Sequence, residues 1–337
     1  MRILKNLFYG TIIGVANIIP GVSGGTMALV LGFYKRLIVS IHNISPRTII
    51  IFLKVFTFKK ENVEKFKDEV KRIELIFLVT ITTGALIAVV VLSELMIYLL
   101  NNFHDPTYGF FFGLVLVSVI APYKIINKKT ISCFLVFLIA VMVILAVSFS
   151  VSGETLLKEA QIKHEIKMKK ANIQTDEIEK ENNKFNILKL SYFFLLGAVA
   201  ISTMILPGVS GSFLLLLMGG YFTILKAITN RNYIILIIFS AGCLVGIAIF
   251  SRFLNFLLKR WHNQTMSFLV GLVIGSLWII WPFKTSAKVG DEIIYLTNRI
   301  PNAIGTNEIY TFLTTLLGIG IVAAILIIES KKKFEDS

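Results

Sequence analysis

The chain has 337 residues, 55% of them hydrophobic and only 16% charged, with a mean hydropathy of +0.79, which excludes an ordinary soluble domain and indicates an integral membrane protein. Its net charge of +14 lies in short Lys and Arg clusters between apolar runs, a pattern that fits membrane topology and anionic lipid and argues against nucleic acid as a partner. Cys133 and Cys243 stand far apart in apolar stretches, and His42, His104, His164 and His262 show no ligand spacing, so neither a disulfide framework, a metal nor another cofactor is expected.

In chain order, the first element is an apolar run over 7–19, preceded by Arg2 and Lys5. It begins like a signal peptide, but no small-residue cleavage site follows and the run reads as retained. It ends at the hexapeptide Pro20-Gly21-Val22-Ser23-Gly24-Gly25, after which apolar sequence continues to residue 41. Segment 48–58, flanked by Arg47, Lys54, Lys59 and Lys60, has the pattern of an interfacial helix. Stretches 73–100, 107–122 and 130–150 are each expected to cross the membrane. A hydrophilic extracytoplasmic insert over 153–189 follows, compatible with a short solvated helix or with disorder. The pattern then restarts. Apolar sequence over 191–228 is interrupted by Pro207-Gly208-Val209-Ser210-Gly211-Ser212, and further membrane helices are expected over 233–258, 265–281 and 309–328.

The two halves, residues 1–152 and 190–337, read as a duplication. A constant offset of 187 matches the two hexapeptides, Gly10 with Gly197, Gly32 with Gly219 and Tyr34 with Tyr221; an offset of 158 matches Gly84 with Gly242, His104 with His262 and Gly113 with Gly271. The runs before Pro20 and Pro207 reach only about 20 and 24 Å, short of a hydrocarbon core of roughly 30 Å. Each motif is therefore expected at the tip of a re-entrant helical hairpin, 7–41 in one half and 191–228 in the other. A hairpin followed by three crossings places 20 of the 34 Lys and Arg residues on the cytoplasmic side, with both termini. Three crossings is an odd number, so the halves are expected to be inverted, their tips facing each other near the midplane. The predicted fold is all-α and polytopic.

A broken helix in a membrane bares backbone N–H groups that nothing else at that depth satisfies. Proline ends the incoming helix, the glycines permit tight backbone, and Ser23 or Ser210 falls at the N-cap of the outgoing one. Such an end suits phosphate or another anion. The candidate phosphate ligands are Pro20, Gly21, Ser23, Gly24, Gly25, Pro207, Gly208, Ser210, Gly211 and Ser212. The structural alternative is a kink whose small residues only permit close packing. Glu94 and Arg252 occupy the same repeat position with opposite charges, each about 10 Å inside a helix boundary. Either can snorkel to a headgroup, or Arg252 can serve the phosphate and Glu94 proton coupling or an ion pair. His104 and His262 are expected at helix ends beside water, in capping or interfacial roles.

The paired Pro-Gly-Val-Ser-Gly motifs, with Gly14 to Ile19 and Thr203 to Leu206 before them and Gly32 to Tyr34 and Gly219 with Tyr221 after them, resemble the PopT-type polyprenyl-phosphate transporter family. The resemblance spans both halves but not the insert, and Ser212 replaces Gly25 in the second motif. It implies a bacterial inner-membrane transporter, not an enzyme, that returns undecaprenyl phosphate from the outer to the cytoplasmic leaflet for cell-wall and envelope polymer synthesis. Two other functions share the motif chemistry: a small-anion channel or proton-coupled anion exchanger, and an intramembrane serine hydrolase built on the Gly21-Val22-Ser23-Gly24 pattern.

Overall fold

A computed structural model of the chain describes residues 2–18, 23–150, 161, 187–209, 211, 214–215, 218–229, 231–289 and 292–335. The expected insert, but for Gln161 and its last three residues, lies outside them. The first half folds as α1 (Arg2–Ile18), α2 (Gly24–Val30), α3 (Tyr34–Asn43), α4 (Pro46–Lys54), α5 (Lys60–Arg72), α6 (Leu75–Asn102), α7 (His104–Ser118), α8 (Ile120–Lys124) and α9 (Ile131–Ser150). The second comprises α10 (Ile187–Ile205), α11 (Tyr221–Thr229), α12 (Tyr233–Arg260), α13 (His262–Ile279), the strands β1 (Lys284–Val289) and β2 (Glu292–Asn298), and α14 (Thr306–Glu335). Among the described residues six helices are long and apolar enough to cross a membrane, seven if α2 and α3, bent by 117°, form one span. The protein is a helical polytopic membrane protein, because only helices satisfy the backbone within each apolar segment. The antiparallel β1–β2 hairpin is an addition to the expected architecture. Its sequence signal was present in Gly290-Asp291 between two runs rich in β-branched residues.

Glycines set how closely the long helices pair. Helix α1 lies along α6, and α10 along α12. A Cβ on Gly10 would stand 2.2 Å from the Ile81 carbonyl oxygen, and one on Gly84 2.2 Å from that of Leu7. Gly197 and Gly242 would meet the oxygens of Phe239 and Phe194 at 2.1 and 2.0 Å. Backbones thus touch where the residues are smallest, which is how helices associate in lipid without a hydrophobic driving force. Both pairs run parallel: Gly14 follows Gly10 as Ala85 and Ala88 follow Ile81, and Gly246 meets Ala198 one turn after Gly242 meets Phe194. Across the halves, α7 lies along α14 and α9 along α13.

The same turn follows each motif. Gly32 and Gly219 are left-handed, with φ of 74° and 73°. The Phe33 N–H then donates to the Ala28 carbonyl at 3.2 Å and the Gly220 N–H to that of Leu215 at 2.9 Å. This closure uses carbonyls that the helix end would otherwise leave unpaired.

The two ends of the bundle are distinct. At one, Arg72 of α5 donates to the Asn43 carbonyl at 2.7 Å and Asn43 Nδ2 to the Arg72 carbonyl at 3.0 Å, which fixes the end of α3 beside the start of α6. Helix α12 packs against α3, with its late residues Arg252 and Lys259 near His42 at the end of α3. Helix α12 therefore stops where α6 begins. The polar shelf here is clamped by Glu69, which takes a bidentate ion pair from Arg72 at 2.6 and 2.8 Å and a hydrogen bond from Thr48. The Arg72 guanidinium, supported by the Thr48 hydroxyl, holds the Glu69 carboxyl at a pKa of about 2 despite its burial. The other end, about 40 Å away along the 28 residues of α6, carries the α6–α7 corner, the β-hairpin and the start of α14.

Candidate functional site

Ser23 has an extended backbone and caps α2, its Oγ accepting from the Gly25 N–H at 3.2 Å. The Gly24 N–H donates to Asn17 Oδ1 of α1 at 3.0 Å. Gly208 is left-handed, with φ of 78°, and its N–H donates to Thr26 Oγ1 at 2.9 Å. The Ser23 hydroxyl donates to the Leu206 carbonyl at 3.2 Å, and the Tyr34 hydroxyl to that of Ile205 at 3.1 Å. Three hydrogen bonds thus join two segments more than 170 residues apart. Gly25 lies directly on the second segment, where a Cβ would be 2.6 Å from the Ile205 oxygen. Ser23, Gly24, Gly25, Thr26, Pro207, Gly208 and Gly211 are all buried. Pro20, Gly21, Ser210 and Ser212 lie outside the described residues.

One expectation needs correction. The described N–H groups at the tips were expected to be free for an anion, and in this conformation Gly24, Gly25 and Gly208 have protein acceptors. The reason is the cost of an unpaired buried donor, which drives it to any acceptor within reach. Asn17, Ser23 and Thr26 supply those acceptors, and of the three only Ser23 was singled out from the sequence. Asn17 could have been: it is the one amide within the apolar run 7–19.

A groove of about 310 Å³ between α10 and α12 runs to the second tip, lined by Ser202, Thr203, Leu206, Gly246, Phe250 and Phe253. Arg252 is exposed on α12, next in sequence to the groove residue Phe253. Glu94 is exposed on α6. Among the described residues no ion pair joins Glu94 to Arg252, and neither is hydrogen-bonded to the tips.

His104 departs from its expected place beside water. It is 7% exposed, because the unforeseen hairpin folds over it and stacks Tyr295 on its ring at 3.3 Å between centroids. Its Nδ1 lies 2.7 Å from Asp105 Oδ1, and Asp105 Oδ2 accepts from Asn307 of α14 at 2.9 Å. Lys284 of β1 enters the same cluster, donating to the Ile279 carbonyl at 2.7 Å. Burial pushes its ammonium down from 10.5 to about 8. Between those values the unfolded chain holds a proton that the folded chain has released, so stability rises with pH from about 8 to 10.5, by at most roughly 3 kcal/mol. Thermal unfolding of Lys284→Met is expected to lose that slope.

Residues 13–295 match the family described as undecaprenyl phosphate translocase-like. The chain belongs to this family. Among the family's curated relatives, a polyprenyl-phosphate transporter of Vibrio cholerae serotype O1 is 35% identical over 284 residues, covering 84% of this chain and 79% of the relative. A polyprenyl-phosphate transporter of Staphylococcus aureus is 31% identical over 286 residues, covering 82% and 86% respectively. No solved structure matches the chain. The translocase-like family and the names of both relatives indicate a transporter rather than an enzyme, which sets aside the serine hydrolase.

Proposed function

We propose that this protein carries undecaprenyl phosphate, or a related polyprenyl phosphate, from the outer to the cytoplasmic leaflet of a bacterial inner membrane by alternating access, the shelf end and both termini being cytoplasmic. The observation that carries the reading is the buried contact between the tips, made through Ser23, Thr26 and Tyr34. Support for inverted halves comes from helix direction. Helix α12 ends beside the start of α6, while α1 runs parallel to α6 and α10 to α12. The two incoming helices then approach the shared tips from opposite faces, an arrangement common to inverted-repeat transporters that work by alternating access.

Three donors, the Ser23 and Tyr34 hydroxyls and the Gly208 N–H, are satisfied across the tips in this closed arrangement, and a phosphate exchanges partners with them. Parting the tips breaks three hydrogen bonds worth about 1 kcal/mol each, and bonds from the same groups to a charged oxygen are worth more. Closure therefore protects the donors between cycles and substrate opens the contact. The α10–α12 groove suits the first prenyl units, with Arg252 beside it as counter-charge. Glu94 is the candidate for proton coupling.

Purified protein in liposomes tests the site. Ser23→Ala with Thr26→Val is expected to lower polyprenyl-phosphate flux ten- to a hundredfold. Undiminished flux in that double variant rejects the tips as the phosphate site.

A further inference from the structure

A second groove, of about 570 Å³, opens at the hairpin end between α7, α9 and α13. Its walls are apolar, formed by Phe112, Val141, Leu145, Ile274 and Trp278, and its mouth is crossed by the segment Asn298 to Ile300 that leaves β2. That segment is pinned. Asn298 Nδ2 donates to the Trp278 carbonyl at 2.6 Å, and Trp281 Nε1 to the Arg299 carbonyl at 3.0 Å.

Arg299 is among the residues lining this mouth, and its side chain is 39% exposed. Its Nε donates to the Lys284 carbonyl at 3.3 Å. Its terminal nitrogen forms an ion pair with Asp105 Oδ2 at 3.9 Å, too long for a hydrogen bond, and Asp105 is already hydrogen-bonded to His104 and Asn307. Among the described residues the guanidinium fork therefore makes no hydrogen bond through its two terminal nitrogens. A fixed fork with unspent donors is the side chain best matched to a phosphate monoester.

Below the fork the groove descends from Trp281 to Ile274, about 10 Å of helix rise. Two indoles at its upper edge mark the level of the membrane interface. At its floor α9 and α13 close up, leaving no space for a Cβ on Gly275, which would meet Ile144 at 2.8 Å. The slot is thus charged at the interface and hydrocarbon below it. We propose that it is a loading site for a lipid with a single long chain and a monophosphate head, held by Arg299 before it reaches the tips. The identity of that lipid as the carried polyprenyl phosphate rests on the function proposed above.

Tryptophan emission reports on the groove directly, since two of the three tryptophans, Trp278 and Trp281, border it. In a Trp261→Phe background, full-length protein titrated with undecaprenyl phosphate is expected to show a saturable emission change. Its midpoint should lie at least tenfold below those for undecaprenol and phosphatidylglycerol. Arg299→Gln is expected to raise the midpoint tenfold or more, and Arg299→Lys, which keeps the charge but not the fork, by less. The thermal unfolding midpoint of each variant shows whether the hairpin stays docked. An Arg299→Gln midpoint equal to that of the parent, or a phosphatidylglycerol midpoint equal to that of undecaprenyl phosphate, overturns the proposal. Ser23→Ala with Thr26→Val should leave the emission midpoint unchanged, so failure of the tips as a transport site and failure of this groove give different results.

Discussion

Gly25→Val is expected to reduce polyprenyl-phosphate flux in liposomes to background. The position has no room, because a Cβ would stand 2.6 Å from the Ile205 oxygen and 3.2 to 3.3 Å from the carbonyl carbons of Ile205 and Leu206. All three atoms are backbone and cannot rotate away, so the two tips must separate. Separation breaks the Ser23–Leu206, Thr26–Gly208 and Tyr34–Ile205 hydrogen bonds together and leaves their buried groups unpaired, at about 1 to 3 kcal/mol each. Gly25→Ala should do the same in lesser degree. Wild-type flux from membrane-inserted Gly25→Val would show that the tip contact has no part in transport.

Gly84→Leu and Gly242→Leu are each expected to lower the yield of folded, detergent-stable protein tenfold or more. The two glycines hold matched places, one against the Leu7 oxygen at 2.2 Å and the other against the Phe194 oxygen at 2.0 Å. A leucine at either forces α6 off α1 or α12 off α10 along the whole crossing, where packing is the main attraction between helices in lipid. Gly320→Leu on α14, where a Cβ would meet nothing within 4 Å, is the control and should leave yield unchanged. Size-exclusion profiles of the three variants decide the matter, and equal yields would show that these crossings yield more readily than their geometry suggests.

Much of the fold was legible because it is local. The apolar runs before Glu94 and Arg252 are long enough to span a bilayer by length alone, and α6 and α12 form there with ends within a few residues of those expected. Ser23 was recognisable as a cap from its position after Pro20-Gly21, since an N-cap serine accepts from the N–H two or three residues on, here that of Gly25. The hairpin was missed because its strands are short and lie beside far stronger helical signals. The burial of His104 was missed with it: that residue is covered by Tyr295, 191 positions away, and nothing near it in sequence says so.

From the sequence alone came the membrane class, the two broken segments and the positions where a polar group would need a partner. Helix length, breaker residues and hydropathy act over a few turns, so they are written along the chain. Tertiary structure alone chose the partners: Thr26 for the Gly208 N–H, Asn17 for that of Gly24, the Leu206 carbonyl for Ser23. It also left Arg252 and Glu94 unpaired with each other and set Arg299 over an apolar slot. A buried donor takes whichever acceptor the packed helices bring within 3 Å, and that depends on how distant segments cross rather than on their neighbours in sequence.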